Sequence, residues 1–480
     1  MLKIADIYKY YLAVSAFIVI NTFTMLKGYM YFNYMSLIAA LVFIAFIRID
    51  IYLLAIVFLT PLSLPLREII PGLSFDMWLP TEPLLVGMVL IFILKLIKGE
   101  RPDRSVLMHP VSLAIYLNLF WIFFTTLSST MFVVSLKFLI ARIWFIIPFY
   151  IIAAQIFKNT DNTKRYVWCY MLALMLVIAY ALGKLIPLGL VNQRAAHSVM
   201  NPFYTDHTSY GAILAMMIPV VAAFILNSSY KKNIRFASVL IFALLCFALL
   251  FSYTRAAWLS LVAALGVLVV LVLKIRFTTV AFFGAIAVIV MVMNLDNLSG
   301  RIEKNRHQSS SDLKKHIQSM SNVSTDASNL ERINRWSCAL RMFAEKPLTG
   351  WGPGTYMFQY APFQVTREKT EISTNASDRG NAHSEYLGPL SESGVPGMLT
   401  FLLIIALTLY TGIRAFMNAP GRNEKIFAAS IVLGLVTYYV HGVLNNFLDT
   451  DKAAAPFWGF TAILVALDIA YKKKKTESTE

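Results

Sequence analysis

Apolar runs of about twenty residues recur along this chain, and no other feature limits its fold as much. A helix crossing roughly 30 Å of hydrocarbon needs about 20 mostly apolar residues. Fourteen stretches meet that need, at roughly 11–26, 31–47, 51–66, 83–98, 110–128, 131–157, 166–183, 209–227, 236–253, 256–274, 277–294, 395–416, 426–446 and 455–471. The first three are short and close together, and one of them is compatible with a re-entrant segment, so the expectation is 12 to 14 spans. Composition agrees: 58% of the residues are hydrophobic and 14% charged, against about 45–50% and 25% in soluble domains. A soluble enzyme, a disordered chain, a coiled coil and a nucleic-acid module are thereby excluded as classes. The net charge of +16 does not point to nucleic acid, because the basic residues lie mostly between apolar runs, as in membrane proteins.

Lys and Arg set the expected orientation. Alternate connections hold Lys3 and Lys9, Arg48, Lys98 with Arg101 and Arg104, Lys158 with Lys164 and Arg165, and Lys231, Lys232 and Arg235. The same set continues with Lys274 and Arg276, then Arg414, Arg422 and Lys425, and ends at Lys472–Lys475. By the positive-inside rule these connections and both termini are cytoplasmic. No small-residue cleavage site follows the first apolar stretch, which therefore reads as a span and not a removed signal peptide. The opposite face receives Thr60–Glu82, Lys184–Thr208, the tight turn Ser252–Ala256 and Leu295–Gly394. The expected organisation is a helix bundle over 1–294, a large extracytoplasmic loop over 295–394, and C-terminal helices with a basic tail over 395–480. Within the loop, Glu303–Asn329 is rich in Ser, Asn, Lys and His, a helix-like run starts near Leu330 and reaches Glu345, and Lys346-Pro347 ends it. A glycine-rich turn, Gly350-Trp351-Gly352-Pro353-Gly354, follows. Cys169, Cys246 and Cys338 offer no disulfide or zinc pattern.

Several residues are candidates for chemistry. His383 can take a proton near neutral pH; otherwise it is a loop histidine satisfying backbone carbonyls. Arg255 in the short outer turn runs against the charge pattern, either as an interfacial side chain reaching toward water or as a guanidinium fork for a diphosphate. Arg332 reads the same way. Arg335 lies one helical turn on and shares its face; its other reading is a solvated charge. Arg142 is embedded in the run Phe138–Ile152, where a charge is expensive and faces a polar cavity or an ion-pair partner. His207 either lines a sugar site or caps a helix. Glu392 orients His383 or pairs with an arginine. The Asp449-Thr450-Asp451 triplet imitates the Asp-x-Asp of metal-dependent glycosyltransferases, but lies on the outer side and reads as a loop or helix cap. No cluster has metal-ligand spacing, so no metal and no cofactor are expected.

His383-Ser384, nine residues, then Gly394-Val395-Pro396-Gly397 form the sharpest motif. With the Ser252–Trp258 turn, the Arg332 segment and the Gly350–Gly354 turn, in that order, it resembles the O-antigen ligase superfamily. That group comprises O-antigen ligases, Wzy-type polymerases and bacterial O-oligosaccharyltransferases. The resemblance covers about Asn201 to Phe416. It departs from the ligases at Trp336, where they show leucine. The resemblance implies a metal-independent glycosyltransferase of the bacterial inner membrane, active on the periplasmic face. Its donor would be a glycan on undecaprenyl diphosphate, its acceptor a lipid A core, a glycan or a protein hydroxyl. His383, Arg332 and Arg255 would be catalytic, and Arg142, Arg335, His207 and Glu392 substrate-binding. Membrane lipid is an expected partner and nucleic acid is not. The alternative from another class is a flippase of lipid-linked glycans, which would show internal repeats; none is visible.

Overall fold

The computed structural model describes residues 15–16, 19–20, 22–24, 47–70, 77–274, 327–369, 373 and 380–477. The expected span at 11–26 lies partly outside these residues, the one at 31–47 almost wholly, and the one at 277–294 wholly. The protein is an all-α polytopic membrane protein. Twelve helices organise the described part: α1 (Ile49–Leu59), α2 (Thr81–Ile97), α3 (Pro110–Leu127), α4 (Phe132–Ile146), α5 (Thr160–Leu188), α6 (His207–Leu226), α7 (Lys232–Phe251), α8 (Arg255–Val272), α9 (Ala327–Glu345), α10 (Leu387–Asn418), α11 (Arg422–Leu444) and α12 (Asp451–Glu477). Helix α4 runs on through a π turn at Ile147–Ile152 to Ile156. Among the described residues nine helices are long and apolar enough to cross a membrane. Backbone pairing inside each helix is what permits this, since lipid offers no hydrogen-bond partner. The strands found there are a two-residue antiparallel pair, Leu64–Pro65 with Trp78–Leu79.

Burial separates the middle of the bundle from its rim. The most apolar windows of α6, α11 and α12 are 78%, 83% and 89% buried, against 22% and 28% for α7 and α8. Helix α12 can be central because Ala453, Ala454, Ala455, Gly459, Ala462 and Ala466 keep its surface narrow, which lets backbones approach closely. The rim helices present Leu, Val and Phe outward, as lipid-facing surfaces do.

Helix α10 starts at Leu387, so the last eight residues assigned to the outer loop belong to this helix. Gly394, with φ +70°, breaks α10 early. A side chain there would be strained, and its Cβ would meet the Leu348 carbonyl oxygen at 2.1 Å. The break exposes carbonyls that lipid cannot satisfy, and the loop and α3 supply donors. Trp351 N–H donates to Ser391 O (3.1 Å), Gly352 N–H to Glu392 O (2.8 Å) and Trp121 Nε1 to Ser393 O (2.7 Å). A Cβ on Gly350 would reach the Glu392 carbonyl oxygen at 2.4 Å. The glycine-rich turn is thus the counterpart of the break in α10, and it ties the loop to the bundle.

Candidate active site

The site is assembled from helix ends. Asp206 caps α6: its Oδ1 accepts the backbone N–H of Thr208 (2.7 Å) and Ser209 (2.8 Å), the pattern expected of an N-cap aspartate. Beside it lies the turn between α7 and α8. Thr254 Oγ1 donates to the His207 carbonyl (2.8 Å), which fastens that turn to the start of α6. Arg255, the first residue of α8, directly follows Thr254, and its backbone is thereby held near the start of α6. The His207 ring stacks on His197 at 3.9 Å.

Helix α9 brings Arg332 from the loop. Its Nε donates to the Leu444 carbonyl at the end of α11 (3.1 Å), where the helix dipole favours a cation. Burial and the charge of Arg255 pull the Arg332 guanidinium below its ordinary value, while Asp206 pulls the other way. Arg255, Arg332 and Asp206 therefore belong to one electrostatic unit.

His383 completes the unit. It has φ +47°, a left-handed conformation costly for a residue with a side chain. Its N–H donates to Asn381 Oδ1 (3.0 Å), and its carbonyl accepts from Trp336 Nε1 (3.3 Å). The indole of Trp336, the residue that departs from the ligase pattern, thus holds the histidine backbone. Ser384, the second residue of the motif, accepts the N–H groups of Tyr386 (3.2 Å) and Leu387 (3.3 Å) and so caps α10. Burial first, then Arg332 and Arg335, lower the His383 pKa to about 4, opposed by Glu331 and Asp206. At neutral pH its imidazole is uncharged and able to accept a proton.

The remaining candidates lie elsewhere. Arg335 pairs with Glu331 (2.7 Å) and stacks on Tyr360 (3.9 Å) in the core of the loop, close enough for its charge to act on His383. It is buried and so not the solvated charge of the alternative reading. Arg142 pairs with Asp449 (2.8 Å) and lines a separate, mostly apolar cavity with Glu385, Glu392, Asn118 and Trp458. Glu392 Oε1 accepts the Tyr356 N–H (2.9 Å). Asp449 and Asp451 serve different partners: Asp451 accepts from Ser63 Oγ and Lys452 Nζ. Among the described residues no group of three or more His, Cys, Asp or Glu side chains is arranged to hold a metal. Sequence reasoning missed Glu385 altogether, because it falls inside the nine-residue gap of the motif and nothing local marks it.

Residues 240–402 match the family model described as O-antigen ligase. This is the superfamily that the motifs resemble. The matched stretch contains Arg255, Arg332, Arg335, His383 and Glu392, and leaves out Arg142 and His207. No curated protein matches the chain. The O-antigen ligase family implies ligase-like or polymerase-like work in glycan assembly, with lipid-linked glycans and acceptors as the general partners.

Proposed function

We propose that the protein transfers a glycan from undecaprenyl diphosphate to an acceptor hydroxyl on the periplasmic face of the inner membrane, in the manner of an O-antigen ligase. The observation that carries this reading is the meeting of Arg255 and Arg332, two like charges, beside an uncharged His383. Like charges brought together in a buried place repel one another, and a bound dianion turns that repulsion into attraction. A diphosphate is the anion a lipid-linked donor supplies.

The step then balances simply. The acceptor oxygen attacks the sugar C1 and forms the new glycosidic bond. The bond from C1 to the diphosphate oxygen breaks, and the diphosphate keeps the electron pair. His383 takes the acceptor proton. Arg255 and Arg332 stabilise the charge that grows on the leaving group. No nucleotide sugar or ATP enters. His207, at the start of α6, faces the donor's sugar end. Arg142 and Glu392, around their own cavity, bind substrate only at a distance from the diphosphate; three carboxylates near Arg142 disfavour an anion there. The helix ends that build the site are those the charge pattern puts outside, which supports a periplasmic site and cytoplasmic termini.

A lipid A core is the proposed acceptor, with another glycan repeat or a protein hydroxyl as the other outcomes. The test uses membranes holding only this chain, wild type or His383→Ala, given lipid-linked glycan and each acceptor in turn. Glycan mass moving to one acceptor in wild type alone supports transfer and names the subtype. A donor pool that changes leaflet equally in both, with no transfer, overturns the reading in favour of a flippase.

A further inference from the structure

The clamp around His383 reaches beyond the residues discussed so far. Glu385, two residues on, is buried and turns away from the histidine toward α11 and the turn after it. Its N–H donates to the Gly442 carbonyl (2.7 Å). One carboxylate oxygen, Oε1, accepts three donors: the Tyr438 hydroxyl (2.6 Å), Phe447 N–H (2.8 Å) and Leu448 N–H (2.9 Å). The approach is close: a Cβ on Gly442 would lie 3.0 Å from Glu385 Cγ. Arg332 is seated on the same helix end, through Leu444 O (3.1 Å). One short stretch, Tyr438 to Leu448, thus receives both the anchor of the histidine loop and the anchor of the arginine.

We propose that Glu385 is a positioning residue which fastens His383 to the outer end of α11, so that this helix end sets the spacing between His383 and Arg332. The proposal rests on the glycosyl-transfer reading above. Its physical basis is leash length. Two residues reach at most about 7 Å, so a fixed Glu385 leaves His383 little room to wander. The left-handed backbone at His383 needs such restraint, because without it the chain relaxes to an ordinary conformation and the ring moves. A misplacement of about 1 Å costs on the order of 100-fold in rate. Glu385 acts through its anchoring bonds, while the carboxylates that raise the His383 pKa are Glu331 and Asp206. Because all three donors converge on one oxygen, a glutamine amide oxygen can accept them equally.

The experiment compares Glu385→Ala, Glu385→Gln, Tyr438→Phe and His383→Ala. Transfer is measured to the acceptor that gains mass in wild-type membranes, and donor-site binding is measured with undecaprenyl diphosphate alone. Glu385→Ala is expected to lower kcat about 100-fold while undecaprenyl diphosphate binds as in wild type. Glu385→Gln should keep most of the wild-type kcat, with an unchanged pH profile. Tyr438→Phe, losing one donor of three, should fall between them; it also serves if the alanine variant does not fold. Wild-type kcat in Glu385→Ala overturns the proposal. So does a parallel loss of kcat and binding, which marks a general structural role, or a glutamine variant as poor as the alanine one, which marks a role for charge. If His383→Ala itself transfers glycan normally, the underlying transfer reading fails; if it is dead while Glu385→Ala is intact, only the positioning role fails.

Discussion

Two polar clusters in this bundle use the same residue types to opposite effect. At the end of the bundle away from the site, Arg414 forks onto Asp468 with both nitrogens. His109 contacts the same carboxylate (3.3 Å), and its Nδ1 accepts the Val111 N–H (3.3 Å), so the ring proton is on Nε2 and points to Asp468. Every charge there has a partner across α3, α10 and α12. At the site end, Asp206 spends one oxygen on the start of α6, while Arg332 is turned to a backbone carbonyl and feels Arg255 as a like charge. The first cluster is closed and holds helices together. The second concentrates positive charge around a neutral histidine, an arrangement in keeping with the proposed diphosphate donor.

The comparison breaks most sharply at His383. His383→Ala should lower transfer by roughly 100- to 10,000-fold, the usual contribution of a positioned base, with an unchanged melting temperature. Single-turnover transfer followed by mass spectrometry measures it, and residual transfer within a few-fold of wild type would remove the histidine from the chemistry. Arg332→Ala comes next, with an expected loss of about 100- to 1,000-fold in kcat/KM. Weaker binding of undecaprenyl diphosphate should accompany it, and unchanged binding would contradict the anion site.

The far cluster should behave in the reverse sense. Asp468→Ala leaves Arg414 without its carboxylate and should cost up to about 3 kcal/mol of stability, the low end for breaking buried pairs because Arg414 is partly exposed. Transfer per folded molecule should change by less than about twofold, because nothing at the site touches Asp468. A large loss of specific activity with unchanged thermal stability would show that the two clusters are not separate in the way their contacts imply.

The helices were legible because lipid demands long apolar runs, and the motif was legible because Ser384 and Gly394 have local backbone roles that fix their spacing. Arg142 and Arg255 looked alike in sequence, each a cation beside apolar helices. What places Arg142 is a partner 307 residues away, Asp449, and no local pattern carries that information. Arg335 was different: Glu331 stands four residues before it, the spacing of a helical ion pair, a local signal that the reading of Arg335 from its shared face with Arg332 left unused. Trp336 was visible only as a departure from the ligase pattern; its bond to the His383 carbonyl needed the loop to be folded back over α9.

Proton affinity offers the finest test of the site end. Burial, Arg332 and Arg335 hold His383 near 4, below the ordinary histidine value of about 6.5. The profile of kcat/KM reports the unliganded enzyme, so its acid limb should fall near 4. Bound diphosphate brings negative charge and favours the imidazolium, so the acid limb of kcat should lie at higher pH than that of kcat/KM. Arg332→Gln removes a cation beside the ring, which also raises the histidine pKa and moves the kcat/KM limb upward. Asp206→Asn removes an anion and should move it slightly down. A wild-type kcat/KM limb at or above 6.5, or a downward shift in Arg332→Gln, would mean that the arginines do not govern the protonation of His383, and the site would lose the electrostatic contrast that separates it from the Asp468 cluster.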